Sequence, residues 1–216
     1  MRGNIKKDNQ NYNFFNPFGN EFLNLKLEDK VTNNLLDFVN EFRFNSSKKN
    51  AIKNRDIVRG TYGTEIQNNS ISNGEIFPLP IENNIVTNTI SSIIELYGKC
   101  CSDNDDDDSI LDAKIIDIWY VIMKEGDFHV LHNHVTKDIL LSGSIYLKIP
   151  ELKYPQGSIV WSNGVDQSRL GSREFTHSPK AGETFVWPST IPHSVYPFNG
   201  KGERIMISFN GTLLER

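Results

Sequence analysis

"FHVLHNHV" (residues 128–135) gathers three of the chain's five histidines into eight positions. His132 and His134 are two apart, and side chains two apart on a β-strand project from the same face. The stretch therefore predicts a strand that presents two imidazoles side by side. His129, three residues before His132, is expected to point the other way. Two neighbouring imidazoles have metal-ligand spacing if a third ligand joins them.

Around this segment the back half of the chain has one texture. Short runs rich in β-branched and aromatic residues recur between Gly, Pro, Asn and Asp: "AKIIDIWYVIM", "FHVLHNHV", "GSIYLKIP", "GSIVWS", "REFTH", "ETFVWP", "HSVYPF" and "ERIMISFNG". Eight such runs within about 100 residues predict a β-sandwich or jelly roll. The front half reads differently. "LEDKVTNNLLDFVNEFRF" (27–44) sets Leu27, Val31, Leu35, Val39 and Phe42 at helical spacing. "ENNIVTNTISSIIELYGKC" (82–100) predicts a second amphipathic helix, closed by the glycine near its end. "FFNPFG" (14–19) reads as an aromatic island docked on the body, and 45–80 as a long irregular excursion. The expectation is an α+β chain, one domain over 1–216, in which a helical and irregular region (1–110) covers one sheet of an all-β region (111–216).

Bulk properties narrow the function. With 216 residues, 38% of them hydrophobic and 11% aromatic, the chain can bury a substantial core. A net charge of −4 and a pI near 5.7 argue against nucleic acid as a partner. The acidic run "SDNDDDDS" (102–109) reads as a solvated loop, because it lacks the spaced ligands and closing Glu of a calcium loop. No apolar run approaches the roughly 20 residues of a membrane helix, and "MRGNIKKDNQNYN" has no apolar core of a signal peptide. Cys100 and Cys101 are adjacent, a poor disulfide and a poor chelate, so reduced thiols in the cytoplasm are expected.

A third imidazole is available at His193 in "PSTIPHSVYPF", which heads a strand after a proline-bearing turn. Eleven residues on lies Arg204 in "ERIMISFNG". Alternation there separates Arg204, Met206, Ser208 and Asn210 from Ile205, Ile207 and Phe209. The apolar set packs outward, so the polar set faces a cavity. A buried guanidinium is costly without an anion, and a bidentate carboxylate is its natural mate. Ser144 and Tyr146 split from Ile145 and Leu147 in the same way. The residues alone thus describe a barrel suited to a metal ion beside a small dicarboxylate, with His129 and His177 as structural histidines.

In this combination the sequence resembles the Fe(II)- and 2-oxoglutarate-dependent oxygenases, closest to the prolyl-hydroxylase-like branch with its phage and marine-bacterial members. "MKEGDFHVLHNH", "LLSGSIYLKIP", "PKAGETFVWPSTIPHSVYPF" and "GERIMISFN" stand in the family's order over about 119–211. The resemblance implies a double-stranded β-helix, a cupin-like barrel, over 111–216. It implies iron held by His132, His134 and His193, and 2-oxoglutarate held by Arg204 with Ser208 and Tyr146. The reaction implied is a hydroxylation that releases succinate and CO2 (EC 1.14.11-type), with ascorbate as a possible auxiliary cofactor. The sequence departs from the family at two points. His134 stands where an Asp or Glu is usual, which leaves the metal one more net positive charge, and Met123 stands where a tyrosine is common.

Three rivals share these residues. A cupin would recruit Asp138 as a fourth ligand and leave Arg204 incidental. A zinc hydratase or hydrolase would use the same three histidines with an open position. A non-catalytic jelly-roll binding module would bind neither metal nor co-substrate. The expected partner is a small-molecule or peptidyl substrate, with a prolyl residue the leading choice, in the cytoplasm (of a host, if the chain is phage-encoded). The segment 45–80 and "NGVDQSRLGSREF" (163–175), with Arg169 and Arg173, are the expected substrate selectors.

Overall fold

The computed structural model describes residues 12–48, 75–102, 112–163 and 174–214. The acidic run from 103, most of 45–80, and Arg169 and Arg173 lie outside the described residues. Within them the order is β1 (Tyr12–Phe15), β2 (Phe22–Lys26), α1 (Asp29–Lys48), β3 (Glu75–Pro78), α2 (Ile85–Cys101), β4 (Asp112–Met123), β5 (His129–His132), β6 (Leu141–Lys148), β7 (Ile159–Ser162), β8 (Glu174–His177), β9 (Glu183–Pro188), β10 (His193–Val195) and β11 (Arg204–Leu214). The last eight strands coincide with the eight runs read from the sequence.

Two antiparallel sheets face each other. The larger runs β1-β2-β9-β6-β11-β4-β3 and the smaller β5-β10-β7-β8. From β4 to β11 the chain crosses back and forth between the sheets, with β7 and β8 as a consecutive pair in the smaller one, which is the double-stranded β-helix. Alternation along each strand sorts the side chains into two cores. Ile205, Ile207, Phe209, Ile145 and Val186 pack with Leu35, Val39, Ile90 and Ile94 of the helices. On the inner face Met206, Tyr146, Val121, Met123, Phe185 and Trp187 meet Ile159, Trp161 and Val195 from the smaller sheet. A period of two thus becomes two chemically distinct faces.

The helices behave largely as their patterns predict. Asn84 caps α2: its side chain accepts from Val86 and Thr87 amides at 2.8 and 3.1 Å, and Thr87 Oγ1 accepts from the Asn84 amide. This is a capping box. The glycine does not close α2, however. Gly98 is buried within it, and the helix runs on to Cys101, capped at Ser102.

The front half is not merely helical and irregular. "FFNPFG" does pack on the body, but as part of the β1–β2 hairpin, and β2 adds to β9. Residues 75–78, inside the expected excursion, form β3 and pair with β4. These segments are short and their apolar residues too few to outweigh neighbouring Asn and Gly in a local reading. Their strand character comes from an open sheet edge offering backbone partners. Arg43 of α1 then clasps Glu75 of β3 and Glu203 beside β11, tying helix, sheet edge and the start of β11 together.

Close approach requires glycine at one central position. A Cβ on Gly143, opposite Phe209 across β6 and β11, would fall 2.2 Å from Phe209 Cζ. The substitution Gly143→Ala should therefore push this buried ring off its seat and lower unfolding free energy by about 1–3 kcal/mol. Urea titration of both proteins measures it; an unchanged midpoint would contradict the packing.

Candidate metal centre

The site is assembled by strand register. Antiparallel pairing sets His193 of β10 directly across from His132 of β5, with Trp161 of β7 on its other side. His134 lies just beyond the end of β5, and its backbone amide donates to Ser189 O at 3.0 Å, which holds that turn against the loop before β10. The rings of His132, His134 and His193 therefore converge. Centroid separations are 4.3 Å for 132–193, 5.1 Å for 132–134 and 5.2 Å for 134–193. One ligand atom from each lies within 4.8 Å of the others.

Hydrogen bonds fix two of these rings. Nδ1–H of His132 donates to Val130 O at 2.7 Å, and Nδ1–H of His193 to Ile191 O at 3.2 Å. With Nδ1 protonated, the lone pair is on Nε2, the usual arrangement for a metal-bound imidazole. Nδ1 of His134 faces the Asn210 side-chain amide at 3.4 Å; that amide also accepts from Ser142 Oγ at 2.9 Å and reaches Asp117 Oδ2 at 3.5 Å. As placed, the Asn210 Nδ2–H donates to Nδ1; His134 offers Nε2 once Asn210 turns its oxygen to Nδ1–H, a flip that gives up the long contact to Asp117. Burial depresses all three pKa values, that of His134 to about 3. They are neutral bases at physiological pH, as metal ligation needs. The donor set fits a divalent first-row ion.

The cavity beside these rings is narrow, about 20 Å³, and is lined by Trp119, Ser142, Ser144, Met206 and Ser208 as well as the histidines. Arg204 is completely buried. Its Nη1 contacts the thioethers of Met123 and Met206 at 3.1 and 3.0 Å, and its carbon lies 5.1 Å from the Tyr146 ring centre. Among the described residues Nε, Nη2 and the Tyr146 hydroxyl make no well-formed hydrogen bond, although the phenol and the guanidinium lie close enough to interact with each other. Among the described residues no carboxylate pairs with this guanidinium; the adjacent Glu203 is taken by Arg43. Desolvation pulls the Arg204 pKa below its usual value and pushes the Tyr146 phenol up to about 12. Ser208 and Ser144 hydroxyls lie 3.3 Å apart on the same inner face.

The remaining sequence candidates separate. Asp138 is exposed on the turn bridged by Thr136 and Ile139, outside the convergent group. His177 lies away from the three rings: it bonds Glu183 at 2.8 Å. Met123, read as a missing tyrosine contact, instead holds Arg204.

His129 overturns its sequence reading. Alternation directs it away from His132, yet it is buried and lines the same cavity, its ring 5.9 Å from that of His132. The reason is a β-bulge. His132 pairs with His193 and His129 with Val195, so β5 carries one residue more than β10 between these pairs. The extra residue resets the alternation and brings His129 inward. Nothing in the periodicity of "FHVLHNHV" signals it. Asn210 was already on the inward stripe of β11, but its contact with His134 depends on tertiary placement.

With this geometry in view, comparison with known proteins is informative. Residues 117–210, the span from β4 to β11, match the family model described as "Putative 2OG-Fe(II) oxygenase". The fold matches that of a Pseudomonas putida prolyl-4-hydroxylase at a TM-score of 0.54 and 16% identity, covering 96% of this chain and 94% of that one. It matches the viral collagen prolyl hydroxylase of Paramecium Bursaria Chlorella virus-1, in its 2OG complex, at 0.52 and 17%, covering 94% and 96%. A Trichoplax adhaerens prolyl hydroxylase, in complex with a hypoxia inducible factor peptide fragment, matches at 0.57 and 13%, covering 93% and 82%. Comparison with curated protein sequences gave no match. The fold is the double-stranded β-helix of these hydroxylases, and the family model that matches 117–210 is the one the sequence resembles. Fe(II) and 2-oxoglutarate are the cofactors that the description of this family model names, and the three-imidazole group is one that could hold a metal ion.

Two measurements probe the site. Anaerobic titration with Co(II) should show one ion per chain, and His132→Ala, His134→Ala or His193→Ala should each weaken it, while His177→Ala leaves it unchanged. Glu183 supplies a pH test of the neighbouring wall. Burial alone would raise its carboxyl, but His177 and the Lys180 amide outweigh this and hold it below the usual value of 4.5. A depressed carboxylate contributes stability that is present above pH 4.5 and fades as pH falls through the folded value. Glu183→Gln should remove that part of the acid limb in a stability–pH curve, with only a small loss at pH 7 because the pair is partly exposed.

Proposed function

We propose that this protein is an Fe(II)- and 2-oxoglutarate-dependent hydroxylase in which His132, His134 and His193 hold the iron and Arg204, Ser208 and Tyr146 hold 2-oxoglutarate. The observation that carries the reading is the unpaired edge of a fully buried guanidinium in the same barrel as three convergent imidazoles. When bound, the iron and 2-oxoglutarate supply the oxidation: O2 and the 2-oxo acid yield succinate and CO2, and one oxygen atom enters a substrate C–H bond.

The chain's own residues have separable tasks in this reading. Arg204 presents Nε and Nη2, one edge of its fork, to a carboxylate; Nη1 is kept back by the two thioethers. The Tyr146 hydroxyl can donate to the same anion, and its ring covers the guanidinium face. Ser144 and Ser208 line the path between. Met206 lines the cavity and touches Arg204, so its unbranched thioether is the side chain suited to moving aside for a five-carbon guest. Trp119 and Trp187 limit water around the imidazoles.

A peptidyl group, with proline foremost, is the proposed substrate. The prolyl hydroxylases among the fold's neighbours support it, as does apolar surface at the motif itself. Leu131 and Val135 flank the two histidines and are 59% and 51% exposed. Asp138, exposed and outside the convergent group, leaves the cupin alternative without its fourth ligand.

Succinate formation by iron-loaded protein under air tests the proposal. Wild type should convert 2-oxoglutarate, and Arg204→Ala should raise the KM for it about a hundredfold, the order expected when one partner of a buried charge pair is removed. Equal kinetics in the two proteins would take Arg204 out of the reading, and no succinate from wild type with any peptide would leave the zinc alternative.

A further inference from the structure

We propose that His129 is a co-substrate-binding residue, donating a hydrogen bond from Nε2 to the carboxylate of 2-oxoglutarate at its metal-proximal end. The inference rests on the oxygenase reading above and adds a fourth imidazole with a different task from the other three.

His129 is 7% exposed, and its Nε2 has no hydrogen-bond partner. A buried ring nitrogen without a partner is a standing cost to the fold, so the position asks for a guest, and in the tautomer with hydrogen on Nε2 that guest is an acceptor. The surroundings say where. His129 lines the cavity beside the convergent rings, meets His132 edge to face at 5.9 Å, and is not a member of the metal-competent group. Met206 lines the same cavity and touches Arg204, which sets the guanidinium behind that wall. A group so placed serves an anion that runs from the imidazoles toward the guanidinium. Since its ring touches His132, the proximal carboxylate is within its reach and the distal one falls to Arg204. The bulge in β5 gives this a structural basis, because without the extra residue Val130 would take the inward position across from Val195.

The test is calorimetric binding to Mn(II)-loaded protein under anaerobic conditions, with three probes. 2-Oxoglutarate has both ends, pyruvate has only the 2-oxo acid end, and levulinate (4-oxopentanoate) keeps the keto group and the distal carboxylate with a methyl group in place of the proximal carboxylate. His129→Phe should weaken 2-oxoglutarate and pyruvate alike, by roughly tenfold to a hundredfold, and leave levulinate within twofold. Arg204→Ala should weaken 2-oxoglutarate and levulinate and spare pyruvate. His129→Gln, which keeps an N–H donor, should recover most of the lost affinity. If His129→Phe does not bind Mn(II), His129→Gln and a His129→Leu variant replace it, and Leu must then show the loss that Gln does not. Unchanged 2-oxoglutarate affinity in His129→Phe, with the Arg204 effect intact, would overturn this proposal alone. No 2-oxoglutarate binding in wild type, or none lost in Arg204→Ala, would overturn the oxygenase reading and this inference with it.

Discussion

The antiparallel seating of β10 between β5 and β7 is the constraint on which the site depends. It is a short strand, three residues, with backbone partners on both sides. By setting His193 across from His132 it joins two parts of the chain 61 positions apart in number, and it does so on the inner face because His193 and Val195 share that face with the buried core. A slip of one residue in β10 would turn His193 toward solvent and lose the convergence entirely. The smaller sheet is thus less a covering layer than the device that brings the donors together.

The larger sheet has the complementary role. Its middle strands β6, β11 and β4 bury apolar residues against the helices on one face and carry Ser142, Ser144, Tyr146, Arg204, Met206, Ser208 and Asn210 on the other. Rigid strands paired on both sides hold such polar groups with little freedom, which is what a site needs to bind an anion without ordering itself first. The energetic tension is visible in Arg204. A fully buried cation with a thioether pair, an aromatic face and no acid is not the arrangement that maximises stability. On the proposed reading, an anionic guest relieves that tension, so ligand binding and folding stability are linked.

Four neutral imidazoles and one guanidinium in a single barrel also explain why the site avoids internal neutralisation. Glu203 is drawn outward by Arg43, and Glu183 is held by His177. Glu203 and Glu183 are thus spent on scaffold contacts, as is Asp127, whose carboxylate accepts from the Lys124 amide, and the inner face keeps its guanidinium for what enters. Asp117 is the exception, reaching the site only through Asn210.

Much of this was legible before any coordinates. Eight strands, two helices, the inward stripe of β11 with Arg204 and the paired His132 and His134 follow from period-two and helical patterns, because those patterns record which side chains must leave water; His193 joined them as an available imidazole and through the family resemblance. The sequence by itself therefore determined the strands of a jelly roll, their two faces and which polar residues point inward. What tertiary structure alone decided are the features that break periodicity or need a distant partner. The bulge that turns His129 inward costs no visible change in composition. The strands β1, β2 and β3 exist because a sheet edge satisfies their backbones. The isolation of Arg204 depends on Glu203 facing Arg43. Local pattern encodes burial, whereas register, edge pairing and charge partnership are settled only when remote segments meet.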